Sequence, residues 1–146
     1  MKIGPLLGIL YTLCTPALAM HMEVFCLDEA CIKDVEQRSS SIDSVVVDSY
    51  QLNRGISLEK MLEEKLKNSG IKTELEGQKL LSDWMNSNEG RDEVARLKWD
   101  VNGIAKSVNY DIQKLPAFVC NGSLVVYGGG FINAYKTCLA QVNQRK

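Results

Sequence analysis

The chain is poor in several things that would narrow its chemistry. It has one histidine, His21, three prolines and 7% aromatic residues in 146. A lone histidine leaves little room for histidine-based acid–base catalysis or a histidine-rich metal centre. Net charge is also missing: 17 basic residues face 18 acidic ones. General nucleic-acid binding needs a basic face and is not expected. No apolar run reaches the ~20 residues that a membrane-spanning helix needs. There is no C-x-x-C motif, no internal repeat and no low-complexity tract.

What is present begins at the N-terminus. Lys2 opens the chain with a positive charge, and Ile3 to Cys14 is mostly apolar. Thr15-Pro16 breaks that run, and Ala17-Leu18-Ala19 offers small residues where a signal peptidase reads them. Residues 1–19 therefore read as a signal peptide cleaved after Ala19, which makes the mature protein periplasmic. Leu13 precedes Cys14, where lipid attachment wants a small residue. The expected mature chain, Met20–Lys146, has 16 basic and 18 acidic residues. Its length suits a single domain, and no stable membrane insertion is expected after cleavage.

Cleavage leaves four cysteines: Cys26, Cys31, Cys120 and Cys138. An even number in an exported chain points to disulfides, with three possible connectivities. The C-x4-C spacing followed by two distant single cysteines suits zinc poorly, so neither metal nor cofactor is expected.

Along the mature chain, Met22 to Cys26 reads as a first strand and Leu27 to Ser41 as a stretch with one short helix. Val45-Val46-Val47, within Ser44–Tyr50, predicts a strand buried on both faces. From Ser57 to Tyr110 the pattern is helical. Ser57 reads as an N-cap, with Leu58, Met61, Leu62 and Leu66 at helical spacing and Gly70 as a stop. Leu75, Leu80, Leu81, Trp84 and Met85 suggest a second helix, and residues 86–90 a turn. Val94, Leu97, Val101, Ile104, Ala105 and Val108 then trace one face of a long third helix. Gly103 weakens it slightly. Two apolar runs follow, Ala117–Cys120 and Leu124–Tyr127, with Asn121-Gly122 between them as a tight hairpin turn. Phe131 to Val142 reads as a last helix.

This order is β-α-β, a helical block, β-β-α. It matches an α/β, thioredoxin-like fold: a four-stranded mixed sheet with a helical insertion at about residues 57–110 between its second and third strands. In that fold the loop before the hairpin carries a proline with a cis peptide bond, and Pro116 stands there, at the opening of a strand. A thioredoxin-type oxidoreductase also places C-x-x-C after its first strand. Here Cys26-Leu-Asp-Glu-Ala-Cys31 has two residues too many, and Asp28 and Glu29 oppose thiolate formation. His21, beside the cleavage site, is expected to be exposed and mobile.

The stretch Ala105–Ala140 resembles a family of small exported proteins encoded on integrating conjugative elements. The resemblance is carried by Ala105, Ile112, Lys114-Leu115-Pro116-Ala117, Val125-Val126-Tyr127-Gly128 and Ala134. It implies a thioredoxin-like accessory or assembly protein of a conjugative, type IV secretion-like DNA transfer apparatus, partnered by other envelope proteins. The paired cysteines of the first-strand region depart from the family's expected pattern. The alternative is a periplasmic thiol–disulfide oxidoreductase or isomerase using Cys26 and Cys31. The missing C-x-x-C makes the non-enzymatic reading the leading one.

The expected topology also suggests a disulfide pairing. The hairpin strand descends from Pro116 at about 3.3 Å per residue, and the last helix descends at about 1.5 Å per residue. Cys120 and Cys138 then share a level, one on the sheet and one on the covering helix. Cys26 ends its strand at the opposite end of the sheet, where only Cys31 is near. The expected bridges are Cys26–Cys31 and Cys120–Cys138, with Leu27–Ala30 partly looped. Gly128-Gly129-Gly130 reads as a sharp turn rather than an anion site. Asn121-Gly122-Ser123 matches a glycosylation sequon that the hairpin turn already explains.

Overall fold

The computed structural model describes residues 19–144. The segment read as a signal peptide, residues 1–19, lies outside these apart from Ala19. Among the described residues the order is β1 (Met20–Cys26), α1 (Glu29–Ser39), β2 (Val45–Gln51), α2 (Arg54–Asn68), α3 (Glu74–Asn86), α4 (Asn88–Asn109), β3 (Ala117–Cys120), β4 (Leu124–Tyr127) and α5 (Gly130–Gln144). The sheet order is β2-β1-β3-β4, with β1 parallel to β2 and β3 antiparallel to both of its neighbours. The fold is thioredoxin-like α/β, with three helices between β2 and β3.

Period-two alternation in β1 gives the sheet two different faces. Met20, Met22, Val24 and Cys26 join Phe118 and Cys120 on one, under Ile32 and Val35 of α1 and Phe131, Ala134 and Cys138 of α5. Phe25, Tyr50, Ala117 and Val119 make a smaller core on the other. The hairpin turn is made by Asn121 and Gly122, both at positive φ (46° and 67°). Ser123 N–H closes it on the Cys120 carbonyl at 3.0 Å.

Four expectations need correction. His21 has an exposed side chain, as expected, but it is held rather than mobile: it lies within β1, its Nε2 2.9 Å from Asp48 Oδ2 on the neighbouring strand. β2 is not buried on both faces. It is an edge strand, with Val46 exposed and Val45 and Val47 half-buried. Three valines in a row specify a strand but not its place in the sheet. Ser57 is not an N-cap: α2 starts three residues earlier, directly after β2, and Ser57 Oγ donates to the Asn53 carbonyl within the first turn. The turn at residues 86–90 shrinks to Ser87, which closes α3 through its N–H to the Trp84 carbonyl and caps α4 by accepting from Gly90 N–H.

The apolar stripe of α4 points away from the sheet: Val101, Ile104 and Val108 are 54%, 44% and 73% exposed. Asp100 and Gly103 are buried instead. Helical periodicity locates the apolar side of a helix, but here polar and small residues meet the sheet.

Candidate functional site

The end of the sheet where β1 stops is the place to look for chemistry in this fold. The last residue of β1, Cys26, is fully buried and bonded to Cys31, with Cα atoms 5.7 Å apart. Cys31 lies in the first turn of α1 and is partly exposed. The β1–β3 register pairs Phe25 with Ala117, which brings Pro116 opposite Cys26; the Leu115–Pro116 peptide is cis. The structure thus gathers Cys26, Cys31 and Pro116 at one end of the sheet. Cys120 and Cys138 form a second bridge, with Cα atoms 5.9 Å apart, between β3 and α5 and away from that end.

The electrostatics around Cys26–Cys31 oppose thiolate chemistry. A reactive thiol in this position is stabilised as thiolate by the unpaired N–H groups at a helix N-terminus. Here Asp28 is the N-cap of α1, and its Oδ1 accepts from Cys31 N–H at 3.0 Å. Glu29 follows in the first turn. The hydrogen bond from Lys33, ahead of that residue's charge, holds the Glu29 carboxyl below its usual value, so it is ionised at neutral pH. Two carboxylates thus occupy the position that would need to be positive. The sulfur order is also reversed relative to a working motif: the strand-side sulfur is sealed, and the helix-side one is accessible.

No protein-family model, curated protein or solved structure matches the chain. The site must therefore be read from its own geometry.

Beside the disulfide, a cleft of about 560 Å³ runs between α1 and the inserted helices, lined by Asp28, Glu29, Arg54, Met61, Glu93 and Arg96 among others. Its inner cation is already neutralised: Arg54 bonds Asp100 through Nε and Glu93 through Nη1. Asp100 also accepts from Gln51 N–H at 2.7 Å, and Trp99 Nε1 donates to the Ser49 carbonyl at 2.8 Å. Those two groups lie on the outer edge of β2. Trp99 and Asp100 therefore cover an edge that would otherwise be open to strand pairing.

On the same face, a polar cluster joins β1 to α4. Glu23 is 2% exposed and bonds Lys106 through Oε1 and Tyr110 Oη through Oε2, the latter at 2.5 Å. Lys106 also donates to Tyr50 Oη at 2.9 Å. Burial, the largest single influence, disfavours the Glu23 charge. The hydrogen bonds from Lys106 and Tyr110 together outweigh it and hold the carboxyl below its usual value. The bond to Glu23, then the one to Tyr50, pushes Lys106 above the usual ammonium range. Burial raises Tyr50, and the hydrogen bond to Glu23 raises Tyr110. Every member of the cluster is held in its neutral-pH form, which suits a fixed joint better than proton transfer.

Sequence reasoning missed this cluster and the Trp99–Asp100 edge cover. One signal was available: Glu23 interrupts an otherwise apolar strand, which asks for a cationic partner. Among the described residues no group of three or more His, Cys, Asp or Glu is placed to hold a metal. None of their helices is long and apolar enough to cross a membrane.

Proposed function

We propose that this chain is a periplasmic, non-catalytic thioredoxin-like protein that serves as an accessory or assembly component of a conjugative, type IV secretion-like DNA transfer apparatus. The observation that carries the non-catalytic part is the Asp28 cap. It fills the helix N-terminus beside Cys26–Cys31 with a carboxylate and leaves Cys26 sealed. A bridge of this kind holds the end of β1 to the start of α1. The resemblance of Lys114–Ala117 and Val125–Gly128 to the conjugative-element family supports the assignment to a transfer apparatus, and the Ala17-Leu18-Ala19 cleavage site supports the periplasmic location.

Deleting the gene from a cell that carries the element should lower transfer of the element to recipients. Alkaline phosphatase, which needs disulfides to be active, should remain fully active. Supplying the chain in trans should restore transfer. Unchanged transfer would remove the conjugative reading. Loss of phosphatase activity would favour the oxidoreductase alternative.

A further inference from the structure

The cleft beside the disulfide holds a hydrogen-bonding need that the fold does not meet. Gln51 ends β2 opposite Cys26, lines the cleft and is 4% exposed. Its Nε2 donates to Asn53 Oδ1 at 2.9 Å, but its buried Oε1 accepts from no group among the described residues. A buried acceptor without a donor is costly, and native proteins keep few of them. Arg54, the half-buried cation of the cleft, is committed to Asp100 and Glu93. Charge defines the donor that fits. Of the lining carboxylates, Glu29 is paired with Lys33, Glu89 with Lys65 and Glu93 with Arg54. Asp28 gives one oxygen to Cys31 N–H and has no cationic partner among the described residues. Leu58 and Met61 of α2, both half-buried, supply an apolar wall.

We propose that this cleft receives an extended segment of a partner protein, and that a lysine of the segment donates from its ammonium to Gln51 Oε1. This goes beyond the transfer role and does not depend on it. A lysine meets each part of the site. Its ammonium is a compact charge with three donors, which suits a single buried oxygen better than the planar fork of an arginine. Asp28 supplies the counter-charge, and the alkyl stem lies along Leu58 and Met61. The size of the cleft favours a chain over a free amine. A second cleft of about 530 Å³ shares Glu29, Arg54 and Arg96 with the first and continues along α1 past Lys33 and Trp99. One alkylammonium would leave most of that length empty. Arg96 is exposed and reaches Glu93 only at 4.0 Å, so its guanidinium has donors to spare for carbonyls of a bound backbone. The segment would then lie beside Cys26–Cys31 without reacting with it.

The test is calorimetric titration of the purified, disulfide-bonded chain with three probes. These are an acetylated and amidated alanine pentapeptide with lysine at its centre, the same peptide with norleucine there, and cadaverine as a free diamine. The lysine peptide should bind at least about tenfold more tightly than either of the others, because norleucine leaves Gln51 Oε1 unpaired and cadaverine leaves the groove empty. Gln51→Met keeps the length of the side chain and removes the acceptor. It should abolish the preference for lysine over norleucine, with an unchanged circular dichroism spectrum. Asp28→Asn keeps a good helix cap and removes the counter-charge, so it should raise the dissociation constant of the lysine peptide about fivefold. No binding of the lysine peptide, or equal binding of the lysine and norleucine peptides, would overturn the proposal. A folded Gln51→Met protein that still prefers lysine would do the same. Cadaverine binding as tightly as the lysine peptide would make this a small-amine site and remove the partner segment.

Discussion

Replacing Gly103 with alanine separates two opposed expectations. By helix propensity alone, Gly103→Ala in the interior of a 22-residue helix should stabilise the protein by about 1 kcal/mol. Packing says the reverse. A Cβ at Gly103 would lie 2.5 Å from both Cβ and Cγ of Tyr50. Tyr50 cannot give way freely. Its ring is stacked between Phe25 and Trp99, each with centroids 5.2 Å away, and its hydroxyl is held by Lys106 at 2.9 Å. Shifting the ring far enough weakens two stacking contacts, each worth about 0.5–1.5 kcal/mol. It also strains a hydrogen bond to a charged group, worth about 1.5–3 kcal/mol. Set against the propensity gain, the net loss should be about 2–3 kcal/mol, a fall in Tm of roughly 10 °C. Urea unfolding of the disulfide-bonded protein, followed by far-ultraviolet circular dichroism, measures it. Asn102→Ala, at an exposed neighbour in the same helix, is the control and should gain a few tenths of a kcal/mol. A Gly103→Ala protein as stable as wild type would refute the close seating of α4 on Tyr50.

The Glu23–Lys106 pair makes stability depend on pH at both extremes. Because the Glu23 pKa is depressed on folding, its contribution is present above the ordinary value of about 4.3 and is lost as pH falls through the folded value. Lys106 is raised, so its contribution holds below about 10.4 and is lost only as pH rises through its folded value. Urea melts of Glu23→Gln should show a loss of about 2 kcal/mol at pH 7, less than for a fully buried pair because Lys106 is partly exposed. The difference from wild type should shrink below pH 4, and a pH-independent difference would speak against the pair. Asp100→Ala removes the acceptor for Gln51 N–H and for Arg54 and should cost about 2–3 kcal/mol. By opening the β2 edge it should also raise concentration-dependent light scattering, and unchanged scattering would contradict the edge-cover role.

Where a residue's own type fixes its environment, the sequence was readable. The hairpin needed two residues at positive φ, and Asn121-Gly122 states that locally. Runs such as Ala117–Cys120 and Leu124–Tyr127 are short, apolar and bounded by turn residues, so their extent was legible to the residue. The helical block was legible as helices but not as packing. Val101, Ile104 and Val108 mark one apolar face of α4, but periodicity does not say whether that face meets the sheet. The surface that meets the sheet is instead a glycine that admits a ring, a lysine matched to a buried glutamate, and an aspartate bonded to backbone. Those roles depend on partners 49 to 83 residues distant, Gln51 from Asp100 and Glu23 from Lys106. No local pattern encodes them. His21 was misread for a similar reason: its position near the start of the expected mature chain suggested freedom, and only the β1–β2 register brings Asp48 to it. For the disulfide end, Asp28 and Glu29 were visible as charges, but Asp28 as the cap on Cys31 N–H required the helix start.

The most direct test of the account is the behaviour of Cys26–Cys31 in thiol exchange. The protein would be equilibrated in glutathione or dithiothreitol buffers of known potential, and the reduced form alkylated across pH, with Cys26 and Cys31 resolved by peptide mass. With Asp28 and Glu29 at the helix start and Cys26 sealed, the account predicts a reduction potential below about −270 mV. It also predicts that Cys31 alkylates slowly at pH 7 and faster as pH rises, and that Asp28→Asn speeds it. A potential above about −230 mV, together with a Cys31 thiolate already present at pH 7, would contradict the non-catalytic reading and make this chain an oxidoreductase.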